Sequence, residues 1–354
     1  MKQYSLFFIL FVFYTQAKIR RPLFKKFVKK RIHQQKIVAI QQTSLVEKKK
    51  QQQENMNDIE LDAVPLSDGS SAVTYDLNGG RFGDNLSSYC RAIWLAYRHN
   101  IPLLYKQFKY SEQLMFANFG LPMTQYRNNK FKERIVIPNH NYYDIKKDNG
   151  TLYVIGWRSR IPADWNDKKF VALVKKCIAL PHSSTGIEIP SQHFSIAVHI
   201  RTGGDYKPDK TARTRQPKRF APLQFYIDQI KCVQSMVENK KLYVHIFTDD
   251  ANPLHFVEKI KQELGDEQIV YGCREKNNNF YSNVLEDFFA MAKFDCLIRP
   301  ESLYSIYAER LGDHKIIIYP MGTEFCREKR MVIIKEIGIK EQTSDGYVIK
   351  NIRI

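Results

Sequence analysis

In the second half of the chain, short apolar runs are separated by longer stretches with helical spacing. The clearest run is FSIAVHIRTGGD, from Phe194 to Asp205. Ile196, Val198 and Ile200 alternate with Ala197, His199 and Arg201, the period of two that sends successive side chains to opposite faces of a strand. His199 and Arg201 therefore share a face, with Arg201 at the strand exit. Gly203 and Gly204 allow a sharp turn and a close ligand approach, and Asp205 and Tyr206 add an acceptor and a ring. Strand carboxyl ends are where open α/β sheets bind ligands. The same letters also read as a surface ion pair beside a turn.

The same alternation continues on both sides. The fold begins near Val73, and its first unit holds a glycine loop, then a helix on which Leu86, Tyr89, Cys90, Ile93, Trp94 and Tyr97 recur at helical spacing until Asn100 and Pro102 end it. A strand over 151–155, a helix over 167–180 and a hinge over 182–192 follow. Pro222 opens a helix carrying Phe225, Ile230, Val233 and Met236, and a strand over 241–248 ends in Asp249-Asp250. A strand over 268–271 precedes a helix through Leu285, Phe288, Phe289 and Met291. Strands over 296–298 and 315–319 flank a helix over 302–311. Such alternation predicts an α/β fold over a largely parallel sheet. The expected domains are 73–190 and 191–320, both Rossmann-like, with an extension over 321–354.

Composition adds little to the fold and more to the N-terminus. A chain of 354 residues with 44% hydrophobic content can bury two cores. The net charge of +18 is concentrated in a leader containing Lys18, Arg20, Arg21, Lys25, Lys26, Lys29, Lys30, Arg31 and Lys36. Residues 18–50 therefore suit an anionic membrane surface. Nucleic acid is not an expected partner, because no sheet motif interleaves aromatic and basic residues. Residues 4–14 are apolar and lead to Thr15-Gln16-Ala17, so 1–17 reads as a signal or anchor, or as the amphiphilic leader of a cytoplasmic enzyme. Residues 18–72 read as a basic, low-complexity and disordered linker. The six cysteines form no C-x-x-C pair and read as core thiols, with bridges left open by the even count.

Four further constellations carry chemistry. The loop from Gly79 to Asn85, with Gly80, Arg81 and Phe82, opens a helix whose free N–H groups suit an anion. It also reads as a tight turn capped by Asp84 or Asn85. Asp249 and Asp250 follow a strand that ends in Thr248, and the pair reads as a divalent-metal site, as Asp249 accepting from the base or sugar of a nucleotide, or as a cap of the next helix; adjacent side chains point apart, which disfavours the two-carboxylate metal site. Glu286 and Asp287 lie in the first turn of their helix, and Ser302 and Ser305 begin another.

As a set, these segments resemble the fucosyltransferase superfamily of alpha-1,2, alpha-1,6 and protein O-fucosyltransferases. The segment from His199 to Tyr206 resembles its His-x-Arg-x-x-Asp motif. The loop from Gly79 to Asn85 is similar to the glycine loop of the group, especially of bacterial nodulation fucosyltransferases. Phe247 to Asp250 resembles the second motif; Val284 to Phe289 with Ile298 to Ser305 resembles the third. The resemblance implies a GT-B fold, two Rossmann-like domains facing a cleft, and an inverting, metal-independent enzyme that transfers fucose from GDP-fucose to a glycan or protein hydroxyl. It needs no cofactor, the GDP-sugar being a co-substrate. Arg201 would hold the β-phosphate, Asp249 and Asp287 would meet the nucleoside or orient the arginine, and Ser302 and Ser305 would meet phosphate. Gly80, Arg81, Phe82, Asn85 and Thr248 complete the donor set. Asp205 is the first choice of base, with Glu286 and His199 behind it. The chain departs from the family at Thr202, where many relatives carry a second arginine, at Ile306 and Tyr307 in place of tryptophans, and in the extra glycine before Asp205. The alternative is a non-catalytic glycan- or nucleotide-binding protein that keeps the fold and is tethered to a membrane by its leader.

Overall fold

Regular structure begins at Ala72 in a computed structural model that describes residues 66–354, apart from 68, 78, 117–118, 124–130, 138–143, 157–158, 181–185, 204–213, 276–277, 280, 329 and 345. The expectations for the leader and linker, and for Gly204, Asp205 and Tyr206, lie outside the described residues. Among the described residues no helix is long and apolar enough to cross a membrane.

The first part contains β1 (Ala72–Tyr75), α1 (Phe82–His99), β2 (Leu104–Tyr105), β3 (Leu121–Pro122), β4 (Glu133–Ile137), β5 (Thr151–Ile155) and α2 (Lys168–Cys177). β1 pairs in parallel with β5, and β5 with β4. β2 pairs with β3, and a single parallel bridge from Val73 to Leu103 joins this pair to β1. Asn100 stops α1 in the left-handed region at φ 49°, its N–H reaching the carbonyls of Ala96 and Tyr97. Asp167 caps α2 by accepting from the Lys169 and Phe170 N–H groups at 2.9 and 3.0 Å.

The second part contains β6 (Phe194–Ile200), α3 (Leu223–Met236), β7 (Leu242–Thr248), α4 (Leu254–Leu264), β8 (Val270–Cys273), α5 (Val284–Met291), β9 (Cys296–Ile298), α6 (Leu303–Leu311), β10 (Ile316–Cys326), β11 (Met331–Thr343) and β12 (Gly346–Arg353). The order β12-β11-β10-β9-β6-β7-β8 contains five parallel strands in the 3-2-1-4-5 order of a Rossmann sheet. The α/β class follows as expected. β10 does not stop at 319. It runs to Cys326 and forms an antiparallel meander with β11 and β12.

β6 is buried along its whole length, as a strand covered on both faces must be. Ile196, Val198 and Ile200 pack with Phe225, Tyr226, Ile230 and Val233 of α3. Ala197 belongs to a second cluster with Phe288 of α5 and Leu297 of β9, and that cluster runs on through α1 to Val73 and Tyr75. One apolar core thus joins the two sheets. The six cysteines are free thiols, with Cys90, Cys177 and Cys296 buried.

α1 and α6 meet at their N-terminal ends because residue 83 is glycine. A Cβ there would lie 2.5 Å from the Tyr304 nitrogen and 2.9 Å from its Cα. Gly83→Ala should therefore lower stability by about 1–3 kcal/mol through overpacking, despite alanine's better helix propensity. Urea unfolding reads this, and an equal or higher midpoint would remove the close-approach argument.

His245, on β7, is buried with its Nδ1 2.8 Å from the Tyr243 hydroxyl, and burial pushes it down to about 4. The unfolded chain protonates this group near 6.5, so its contribution is complete above that pH and is lost as pH falls towards 4. At about 1.4 kcal/mol per pH unit, roughly 3 kcal/mol is at stake. Unfolding free energies at pH 7 and 4.5 should differ in this direction, and His245→Asn should flatten the slope. An unchanged slope in that variant would assign the acid sensitivity elsewhere.

Candidate functional site

Three helix N-termini open onto one cleft of about 350 Å³, lined by Phe82 and Gly83 of α1, Val284 of α5, and Leu303 and Tyr304 of α6. The first N–H groups of a helix have no carbonyl partner within it, and the helix dipole adds partial positive charge there. No side chain caps any of the three: Arg81, Asn283 and Ser302 occupy the N-cap positions without a side-chain cap bond. The Asp84 or Asn85 cap weighed from the sequence is not formed at α1. Asn85 is buried and donates Nδ2 to the Gly80 carbonyl at 2.9 Å, which holds the glycine loop from below.

Arg201 enters the cleft immediately after β6. The turn behind it needs glycine, since Gly203 has φ 110°. Asp249, at the end of neighbouring β7, fixes that turn. Its Oδ1 accepts from the Thr202 N–H at 2.7 Å and the Thr202 hydroxyl at 3.0 Å, and its Oδ2 accepts from the Gly203 N–H at 3.1 Å and Arg81 at 3.3 Å. Burial pushes this carboxyl up, but the Thr202 N–H and hydroxyl, His199 and Arg81 outweigh it and hold the acid below its ordinary value. The carboxylate orients backbone and Arg81, and no bond joins it to Arg201 among the described contacts. Asp250 does not cap α4; its Oδ1 accepts from the Asn252 N–H at 2.9 Å.

Arg201 donates from Nη1 to the Ser302 hydroxyl at 3.3 Å, while its Nε is buried without a hydrogen-bond partner among the described residues. Burial, then Arg219 and Arg81, lower the guanidinium to about 10, so it stays a cation at neutral pH. His199 is buried beside the Tyr304 ring, centroids 5.6 Å apart. Burial pushes it down to about 3 against the pull of Asp249, and it is neutral at pH 7. Its Nδ1 has no hydrogen-bond partner among the described residues.

Of the residues singled out from sequence, Gly80, Arg81, Phe82, His199, Arg201, Thr248, Asp249, Asp287 and Ser302 line the cleft. Ser305 does not. It is fully buried one turn into α6, its Oγ 3.4 Å from the Ser302 carbonyl. Asp205 lies outside the described residues.

Sequence reasoning missed Arg274. It follows β8 as Arg201 follows β6, and donates to Asp287 at 2.9 Å and Glu286 at 3.0 Å. Burial raises Asp287 to about 6, with Arg274 opposing. Placing the end of β8 at Tyr271, two residues early, hid it. Also missed were the part of Tyr304 in the aromatic floor around Phe82 and the aromatic rim. Phe82 and Phe288 meet edge to face at 5.2 Å, and the Tyr304 hydroxyl donates to the Val284 carbonyl at 2.5 Å. Across the rim, the Tyr110 hydroxyl donates to the Tyr281 carbonyl at 2.8 Å, and Lys109 Nζ sits 4.1 Å from the Tyr281 ring centre.

No protein-family model matches the sequence, and no curated protein matches it. Solved structures similar to the chain include Arabidopsis thaliana FUT1 in complex with GDP, at 14% identity over 75% of this chain and 73% of that one, TM-score 0.47. Fucosyltransferase NodZ from Bradyrhizobium is 15% identical over 76% of this chain and 99% of that one, TM-score 0.46. A structure of NodZ alpha-1,6-fucosyltransferase soaked with GDP-fucose is 16% identical over 75% and 99%, TM-score 0.43. Both NodZ structures are of a fucosyltransferase.

Proposed function

We propose that the chain is a glycosyltransferase that binds a GDP-sugar in this cleft and passes the sugar to a glycan or protein hydroxyl, inverting the anomeric centre without a metal. The observation that carries the reading is the meeting of Arg201 with three uncapped helix N-termini at the carboxyl ends of parallel strands. A diphosphate satisfies all of them at once, because it brings oxyanions to unpaired N–H groups and to a guanidinium fork. The motif resemblance from His199 to Tyr206 narrows the sugar to fucose and the nucleotide to GDP.

In this reading Arg201 stabilises the charge that develops on the leaving diphosphate, and Ser302 holds the guanidinium in place. His199, neutral at working pH, offers a ring nitrogen as a hydrogen-bond partner and is a weak proton acceptor. Asp205 is the proposed base for the acceptor hydroxyl. Asp287 and Glu286, tied to Arg274, stand at the nucleoside side.

GDP should stabilise the protein in the presence of chelator, by about 2.7 kcal/mol at a hundredfold excess over Kd, and UDP, CMP and ADP should not. A thermal-shift series reads this. Loss of the GDP effect with chelator would make a metal part of the site. GDP binding with neither hydrolysis of GDP-fucose nor transfer to any hydroxyl would favour the non-catalytic alternative.

Arg201→Lys keeps the charge but loses the planar two-pronged donor. Transfer should fall at least about a hundredfold while the melting temperature without ligand changes little. A variant that unfolds, yet whose soluble fraction transfers sugar normally, would turn Arg201 into a structural residue.

A further inference from the structure

A second pocket, of about 420 Å³, opens beside the cleft and shares Asp84, Arg201 and Leu303 with it. Its other charged groups are Arg215, Lys218, Arg219 and Glu301. Lys218 is engaged with Glu301 at 3.7 Å. Arg215 and Arg219 are exposed, and among the described residues neither pairs with a carboxylate. The guanidinium of Arg219 lies 5.8 Å from the Phe220 ring centre, and that of Arg201 lies 5.6 Å from the same centre. Two guanidinium groups are thus held against one buried ring, near enough that Arg219 contributes to lowering the pKa of Arg201. Arg201 is turned to the donor cleft, which leaves Arg219, with Arg215 on the same pocket wall, open to an oxyanion.

We infer that this pocket binds an acidic substituent of a saccharide acceptor, a carboxylate, sulfate or phosphate held by Arg215 and Arg219, next to the donor cleft. The inference rests on the glycosyltransferase reading for the acceptor role. The donor diphosphate already has its oxyanion partners at the helix N-termini on the other side of Arg201. A concave pocket of this volume suits a sugar ring and its substituent. Arg215, Lys218 and Arg219 together form the specificity wall of the acceptor site.

The test uses the full chain, with and without saturating GDP, and four probes: a neutral chito-oligosaccharide, an oligogalacturonide, a sulfated heparin oligosaccharide and oligo-glutamate. Calorimetry at about 50 mM and about 200 mM salt should show both acidic saccharides bound at least about tenfold tighter than the neutral one, and more weakly at the higher salt. Arg215→Ala with Arg219→Ala should bring them down to the neutral level while Kd for GDP stays within about twofold. Acidic saccharides bound unchanged by the double variant would assign the anion to the basic residues 18–36 and overturn the proposal. Equal loss of GDP binding would give the pocket to the donor, and oligo-glutamate bound as tightly would replace saccharide by acidic peptide; either result overturns it. Failure of the wild type to bind GDP sinks the donor reading instead, and the saccharide preference of the double variant is read without GDP.

Discussion

One carboxylate organises the site. Asp249 gathers two backbone N–H groups, a hydroxyl and a guanidinium from segments that are distant in sequence, the turn after β6 and the start of α1. Each donor reduces the cost of burying the charge, and the charge in turn fixes each donor. The direction of Arg201 depends on this, because the arginine sits one residue before the turn that Asp249 clamps. So does the glycine loop, whose Arg81 reaches across to the same oxygen atoms. With α1 anchored at Arg81 and pressed on α6 at Gly83, the two uncapped helix ends are held side by side.

The cation placed among these elements is expensive. Arg201 is flanked by Arg81 and Arg219 and loses water on burial, and all three effects lower its pKa. Nothing in the hydrophobic packing of β6 requires an arginine there. A buried Nε and a buried histidine nitrogen, neither with a hydrogen-bond partner among the described residues, add to the cost. Local energetic debt of this kind is what a preorganised anion site carries before its ligand arrives.

Much of this was legible before any coordinates. β6 and β7 announce themselves because apolar side chains must cover both faces of a central parallel strand, and the polar residues at their ends have nowhere to go but the strand exits. The α/β class and the parallel pairing follow from the alternation of elements, whereas the order of the strands does not. Ser305 was misplaced because helical phase does not say how soon a helix becomes buried, and α6 packs against α1 within its first turn. Pro320 looked like the end of a strand, yet it sits at an irregularity where the register shifts between Pro320 and Gly322, a place where a missing N–H is tolerated. Arg274 and the ring of Tyr304 depend on the three-dimensional meeting of β8, α5 and α6, which no local pattern encodes.

The backbone contact at Gly83 has a kinetic side. Two helices touching main chain to main chain cannot slide apart without breaking the packing of Phe82 against Phe288 and Tyr304. The floor of the cleft is therefore held by close packing, and a charged ligand meets donors already in position. Its association rate should follow diffusion and electrostatic steering, rising as ionic strength falls, and owe little to any rearrangement of the floor.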